Sequence, residues 1–363
     1  MQLSLIILGF VFTLFSFLPL IPSPLWWIRV LDFPRLHVAM FLSIILAAYV
    51  VYFGIESTQE IAMIAVWGLA ILNELRYIIN FTPLMKIEAL RTEQKHPANS
   101  FTLMISNVRM VNQKYDKFLE RVQEARPDML IMNEPGHEWH DHVCKVLDKE
   151  YPYSIKKPLD NTYGMLLWSK NKLHDSEVRY LVEDGIPSFY TVVELPSGDK
   201  FCLFTVHPQP PRLMLNTEPR EAELLLVAKQ AKKTPYPAVV AGDLNDVAWS
   251  RTTKLFKQIS GLIDPRVGRG FYNTYNAFVP IFRYPLDHVF YDPQFRLVNL
   301  RRLDKFGSDH FPILITLNYE PHREQEQEHP TADKEEKQEA NELIQEGLEK
   351  GEERSQEKQN SDS

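Results

Sequence analysis

Pro237-Ala-Val-Val-Ala-Gly-Asp-Leu-Asn245 decides how this chain reads. Pro237 to Ala241 is a short apolar run of strand length, and it passes directly into Gly242, Asp243 and Asn245. Polar groups set where an apolar strand stops lie at a sheet edge, where loops meet and water enters. The same figure recurs on both sides. Phe101 to Val108 is an apolar strand carrying Asn107 at its end. Asp128 to Met132 leads to Glu134, and Phe201 to Val206 leads to His207. Further on, Asp287 and His288 stand in Pro-Leu-Asp-His-Val, and Asp309 and His310 in Gly-Ser-Asp-His-Phe-Pro. Helical segments lie between. Tyr115 to Ala125 places Phe118, Leu119 and Val122 on one face and stops at Arg126-Pro127, and Arg220 to Lys232 precedes the opening strand. Strands alternating with helices predict an α/β fold of sheets covered by helices.

Carboxylates, amides and imidazoles gathered at strand ends suit one task in particular. Hard oxygen ligands hold Mg²⁺, while amides and imidazoles position a phosphate and move protons. The motifs Ser-Asn-Val (106–108), the Glu134 strand end, Thr-Val-His-Pro (205–208), Gly-Asp-Leu-Asn (242–245), Leu-Asp-His (286–288) and Gly-Ser-Asp-His (307–310) stand in the order found in the endonuclease/exonuclease/phosphatase superfamily. From Ser100 to Leu317 the chain resembles these DNase I-like hydrolases, and more narrowly their membrane-anchored bacterial branch. Tyr163 to Lys170 is similar to the family's central glycine-containing strand, which usually ends in Ser-Arg rather than Ser-Lys. Val247 stands where the branch usually has Thr, a departure that bears on substrate contacts.

The resemblance implies a two-sheet, four-layer α/β sandwich and a Mg²⁺ (or Mn²⁺) cofactor. It implies that Glu134 ligates the metal, with Asn107 beside it and Asp309 completing the metal or water network. Asp243 would orient or deprotonate the attacking water, and Asn245 would hold a phosphate oxygen. His310 would contact the scissile phosphate with Asp287 as its acidic partner, and His207 would be a second imidazole on the phosphate side. His288 packs beside Asp287 in this reading. His137-Glu-Trp-His-Asp-His142 imitates a metal box, but Asp141 occupies the place of the second histidine in a helical His-Glu-x-x-His, so a solvated helix start is expected. Arg301-Arg302 reads as a surface pair, and Gly268-Arg269-Gly270 followed by Asn273-Thr274-Tyr275 falls where the family's substrate loop lies and is expected to shape the pocket.

The two ends have other compositions. Residues 1–82 form a membrane region with candidate spans at 3–21, 38–55 and 61–81, the third carrying Glu74 and Arg76. Two spans plus an interfacial helix is the alternative. A cleaved signal peptide lacks support, since only Gln2 precedes the first apolar run. Arg29 and Arg35, and then Lys86, Arg91 and Lys95, fall on one side of a three-span arrangement. The positive-inside rule puts that side, and the large domain, in the cytoplasm of a bacterial inner membrane. Residues 83–97 read as a linker, 98–319 as the catalytic domain, and 320–363 as an acidic disordered tail in which 342–350 forms a transient helix.

The formal charge of −7 is concentrated in that tail, where 15 acids and 6 bases leave the preceding residues at +2. The body is not the strongly basic surface of a tight nucleic-acid binder. Cys144 and Cys202 alone exclude a disulfide framework or a cysteine-based zinc cluster. The expected function is a membrane-anchored phosphoesterase acting on a phosphodiester or phosphomonoester, with the lipid bilayer as partner. Its substrate would be a phospholipid head group, an inositol phosphate or, as the alternative, DNA or RNA. An inactive membrane scaffold is the remaining reading, and no protein partner can be deduced.

Overall fold

The structure, a computed structural model, describes residues 1–361 and divides into two units: residues 1–86 with 211–217, and residues 87–210 with 218 onward. In the first unit, α1 (Gln2–Phe17) and a short α2 (Trp26–Arg29) precede α3 (Arg35–Phe53) and α4 (Thr58–Ile78). Ser57 and Glu60 close a capping box that starts α4. Leu42, Ile45 and Tyr49 of α3 pack on Trp67 and Ala70 of α4. The acid that interrupts the third apolar run is paired: Glu74 lies 3.4 Å from Arg35, which also meets Asp32 at 2.5 Å. Three helices, Gln2–Leu20, Arg35–Phe53 and Thr58–Phe81, are long and apolar enough to cross a membrane.

The second unit holds two sheets. Among the described residues, β10 (Phe295–Arg302), β11 (Ile313–Tyr319), β1 (Ser100–Asn107), β2 (Met129–Asn133), β4 (Met165–Ser169) and β3 (Tyr153–Lys157) make one, in that order. β5 (Lys172–Arg179), β6 (Ser188–Glu194), β7 (Lys200–Thr205), β8 (Ala238–Asp243) and β9 (Asp287–Tyr291) make the other. β1 runs parallel to β2, and β7 parallel to β8; the remaining pairs are antiparallel.

Alternation along the strands explains the layering. Phe101, Leu103 and Ile105 of β1 face Phe201 and Leu203 of β7 between the sheets, and the Phe101 and Phe201 rings stack at 4.6 Å. Met104 points outward, under α5 (Tyr115–Ala125) and α6 (His137–Glu150). On the far side Cys202, Phe204 and Val240 lie under α7 (Glu218–Lys233) and α8 (Arg251–Ser260). The order is helices, sheet, sheet, helices, as the sequence predicts.

Two expectations need correction. The tail is not disordered where it is described: α9 (Lys334–Ser361) packs along α7, with Ala340 and Ile344 buried in the outer core. The buried stripe is Ala340, Ile344, Gly347 and Gly351, at helical spacing but with only one large apolar side chain, too few to register as an apolar run. The linker expected over 83–97 also ends early. Ala89 is buried between the sheets, and the backbone around it pairs with the edge of β10 through Leu297 N to Leu90 O and Thr92 N to Leu297 O, each 3.0 Å.

Candidate metal and phosphate site

Strand direction brings the polar residues to one edge. β1, β2, β7 and β8 deliver Asn107, Glu134, His207 and Asp243 at their C-terminal ends. β9 and β11 are antiparallel to their neighbours and deliver Asp287 and the 309–310 pair at their N-terminal ends. Asp287 lies directly opposite Asp243 in the ladder. Gly242 makes the approach of β8 to β7 possible: its φ is +150°, and a Cβ there would lie 2.0 Å from the Val206 carbonyl oxygen. Glu134 (φ 62°) and Asn245 (φ 51°) are held in left-handed backbone that side chains rarely adopt, at a cost of order 1–3 kcal/mol each.

Asp243 is the hub. It is fully buried, and its Oδ2 accepts from Asn107 Nδ2 at 2.9 Å. That amide also donates to Glu134 Oε1 at 2.7 Å. His207 places Nε2 3.8 Å from Glu134 and Nδ1 3.9 Å from Asp243. On the other side His310 Nδ1 is 2.8 Å from Asp287 Oδ2, while its Nε2 lies 3.6 Å from Asp243. Two groups of ligand atoms, each within 4.8 Å of one another, therefore share Asp243: Glu134–His207–Asp243 and Asp243–Asp287–His310.

The electrostatics follow from crowding. Burial and the neighbouring Asp287 raise the Asp243 carboxyl above its ordinary range, against the pull of His310 and His207. Burial alone would lower His310, but the charges of Asp287 and Asp243 and the bond to Asp287 win and push it up to about 10. His310 is a cation at neutral pH.

These donors fit a hard divalent cation. Two carboxylates converge on a single amide N–H₂, and Asp287 Oδ1 is buried with no hydrogen-bond partner among the described residues. Such a set leaves anionic oxygen lone pairs unsatisfied, which a divalent ion would satisfy.

Not every expected residue takes its expected place. Asn107 reaches the spot but offers nitrogen to the carboxylates, its oxygen being occupied by Arg109 N at 2.9 Å. Asp309 stands outside both groups and faces Arg109 at 3.7 Å. Asn245 is alongside, its amide donating to Pro208 O and its N–H to Asp243 Oδ1 at 3.0 Å. His288 turns away. It accepts from Arg266 (2.6 Å) and bonds Asp246 O (2.9 Å), and burial followed by the Arg266 charge pushes it down to about 3. The ring is a neutral strut under the 243–246 loop. His137, itself exposed, opens α6 beside Asp160, and His142 stacks on Tyr115 at 4.1 Å; both lie on the solvated side of a helix whose inner face buries Trp139 and Val143.

Sequence reading gave no role to Ser308, whose hydroxyl donates to Asn107 O at 2.7 Å and accepts from His310 N at 3.0 Å, tying the last motif to the first. Thr274 and Tyr275, read only as part of a pocket-shaping loop, take individual places here: the Thr274 hydroxyl accepts from Asp287 N, and the Tyr275 ring lies 5.0 Å from that of His310. Ser308 sits inside a recognised motif and Thr274 and Tyr275 inside a recognised loop, but the partners of all three are set by the fold.

Comparison with known proteins agrees with this architecture. Residues 104–310 match the family model described as the Endonuclease/Exonuclease/phosphatase family. No curated protein matches the chain. Among solved structures, D. rerio TDP2 complexed with single-strand DNA product superposes with a TM-score of 0.51 at 17% identity, over 60% of this chain and 99% of that one. The endonuclease/exonuclease/phosphatase from Bacteroides vulgatus gives 0.50 at 19% identity, over 61% and 99%. The human Nocturnin catalytic domain with bound sulfate gives 0.50 at 17%, over 64% and 97%. At these identities the likeness concerns the fold, which is the DNase I-like sandwich. The family match spans more than half of the 363 residues and runs from β1 to the His310 motif, so this chain belongs to the endonuclease/exonuclease/phosphatase family.

Proposed function

We propose that this protein is a membrane-anchored, divalent-metal-dependent phosphoesterase in which Glu134, with Asp243, holds Mg²⁺ or Mn²⁺ and water attacks a phosphate ester. The observation that carries this reading is the position of Asp243 in both ligand groups, between an acid–imidazole set and an imidazole–acid pair. When bound, the metal supplies charge neutralisation at a phosphoryl oxygen and a more acidic water. The chain's own groups supply the rest. Asp243, buried and raised, accepts or orients the proton of the nucleophile. His310 is held by Asp287 through Nδ1 and keeps an Nε2 proton to give to a phosphoryl oxygen. His207 and Asn245 sit at the same edge to hold further phosphate oxygens, and Asp309 steers Arg109.

The three apolar helices support anchoring in a bacterial inner membrane, and the Lys/Arg bias supports a cytoplasmic catalytic domain. Tethering raises the effective concentration of lipid or membrane-proximal esters, so a phospholipid head group or inositol phosphate is the first substrate class. A nuclease is the second reading, favoured by the single-strand DNA product held by D. rerio TDP2. The near-neutral body weighs against it.

The test is metal-dependent release of p-nitrophenol from bis-(p-nitrophenyl) phosphate by the full chain. Activity should vanish in Glu134→Gln and Asp243→Asn while circular dichroism stays unchanged. Persisting activity in both variants would refute the site. Parallel assays on plasmid DNA, sphingomyelin and phosphoinositides decide the substrate class. A phosphatase reporter at the C-terminus should be silent; a signal there would reverse the topology.

A further inference from the structure

From Thr274 to Tyr284 the chain folds back as a hairpin. Tyr275 N donates to Tyr284 O at 2.9 Å, Asn276 N to Phe282 O at 3.3 Å, and Phe282 N to Val279 O at 3.2 Å. The last bond closes a four-residue turn with Pro280 second, where its fixed φ fits. The stalk is tied to the proposed catalytic segment: Ala277 N donates to Asp309 O at 2.6 Å and Phe311 N to Thr274 O at 2.8 Å. The tip is Phe278-Val-Pro-Ile-Phe282. Phe278 is 48% exposed, Val279 40%, Ile281 66% and Phe282 49%. Five consecutive apolar residues held outward by a turn form a patch that folded domains rarely leave facing water without a purpose.

The surroundings specify the partner. The segment 273–285 contains no Asp or Glu and one base, Arg283. The Arg109 guanidinium, which also faces Asp309 at 3.7 Å, lies 5.4 Å from the Phe278 ring, and those of Arg283 and Arg302 lie 5.0 and 4.1 Å from the ring of Phe311, next to His310. An apolar tip rimmed by cations matches the interface of an anionic bilayer. The same chain carries three helices fit to cross a membrane.

We infer that this hairpin is a second bilayer contact. Residues 278–282 enter the boundary between head groups and acyl chains, Arg109, Arg283 and Arg302 meet anionic head groups, and the site thereby acts on phosphate esters presented at a lipid surface. The substrate clause rests on the phosphoesterase reading; the membrane contact does not.

The full chain tests it in proteoliposomes of phosphatidylcholine with about 30% phosphatidylglycerol, enough to give the surface an anionic potential. In a Cys144→Ser background, an environment-sensitive dye is attached at Ile281→Cys, with Tyr236→Cys, on another exposed loop, as reference. Iodide should quench the dye at 281 at least about threefold less than at 236, and a head-group-proximal nitroxide lipid should quench only the former. Arg283→Gln with Arg302→Gln should weaken the nitroxide quenching. Equal iodide access at the two positions would overturn the inference. So would protection without nitroxide quenching, which would mean that protein, either the rest of this chain or a second copy, covers the hairpin. The readout needs no turnover, so it survives an absence of ester hydrolysis. Conversely, an active enzyme with an iodide-accessible tip sinks the bilayer contact alone.

Discussion

Gly347→Ala separates a docked α9 from a free one by the sign of its effect. In an isolated or loosely attached helix the change is stabilising, because alanine is about 1 kcal/mol better than glycine in a helix interior. Here a Cβ at 347 would lie 2.3 Å from the Ala222 Cβ and 2.4 Å from the Glu218 carbonyl oxygen. Carbon atoms in contact prefer about 3.5–4.0 Å, so α9 must move by roughly 1 Å, and the obstruction on α7 is partly backbone that cannot rotate away. Overpacking of this kind costs about 1–3 kcal/mol, which outweighs the propensity gain. The expected net loss is ~1–2 kcal/mol, or a melting temperature lower by about 2–8 °C for a domain of this size. Thermal unfolding of the full chain in detergent reads it, with the exposed Gln345→Ala as control on the same helix. Limited trypsin digestion at Lys350 and Arg354 should become faster in the variant. A melting temperature equal to or above that of the parent would refute the packing of α9 on α7.

Three further outcomes are expected. Asp287→Asn removes the carboxylate charge, 2.8 Å away, that keeps His310 protonated, and should lower bis-(p-nitrophenyl) phosphate turnover by ~100-fold with little change in melting temperature. Equal turnover would deny Asp287 its role. Adding Mn²⁺ or Mg²⁺ should raise the melting temperature of the parent, by the equivalent of about 2.7 kcal/mol at a hundredfold excess over Kd, and not that of Glu134→Gln; equal shifts in both would place the ion elsewhere. Glu223, buried on α7 near Glu183, has its carboxyl pushed up from 4.5 to about 8 by burial first and by the Glu183 charge second. A carboxyl raised by folding leaves stability intact below about pH 4.5 and erodes it as pH climbs to about 8, by as much as ~4 kcal/mol. Glu223→Gln should therefore flatten the melting temperature between pH 5 and 9, and parallel curves would contradict it.

The strand ends were legible because β1, β2, β7 and β8 are apolar along their length and stop abruptly at polar groups, so direction and edge follow from one strand at a time. The opposite fates of Asp287 and His288 follow from the alternation of a strand, although adjacency in the motif hides it. Asp287 faces the site, whereas His288 shares a face with Phe290, its ring 5.3 Å away, and joins Arg266 and Asp264. α9 was illegible for a different reason. Its buried stripe holds one large apolar residue, Ile344, with Ala340 and two glycines set among Glu, Gln and Lys, and small side chains signal close approach only once the partner helix is known. Ser308 and Thr274 lie in segments the sequence singles out, but the Ser308 bond to Asn107 O and the Thr274 bond to Asp287 N join backbone distant in sequence, so spacing does not reveal those roles.

The charge balance of the edge explains why its geometry implies a cation. Glu134, Asp243 and Asp287 lie within two overlapping clusters, against one imidazolium at His310, while Arg109 stands on the outer side with Asp309. Left to itself, this arrangement would repel a phosphate ester, since carboxylates at such distances interact strongly in a site from which water is largely excluded. Two remedies are open to the chain. One is a proton, and the raised Asp243 carboxyl shows the strain toward it. The other is a divalent ion, which Glu134 and Asp243 would hold and which would supply two compensating charges. Only the second leaves Asp243 ionised when an anionic substrate arrives. A site built merely for stability would have replaced one of these acids with a neutral amide. Retaining all of them around a buried aspartate, beside an imidazole that stays protonated, is intelligible if the balance is completed from outside the chain.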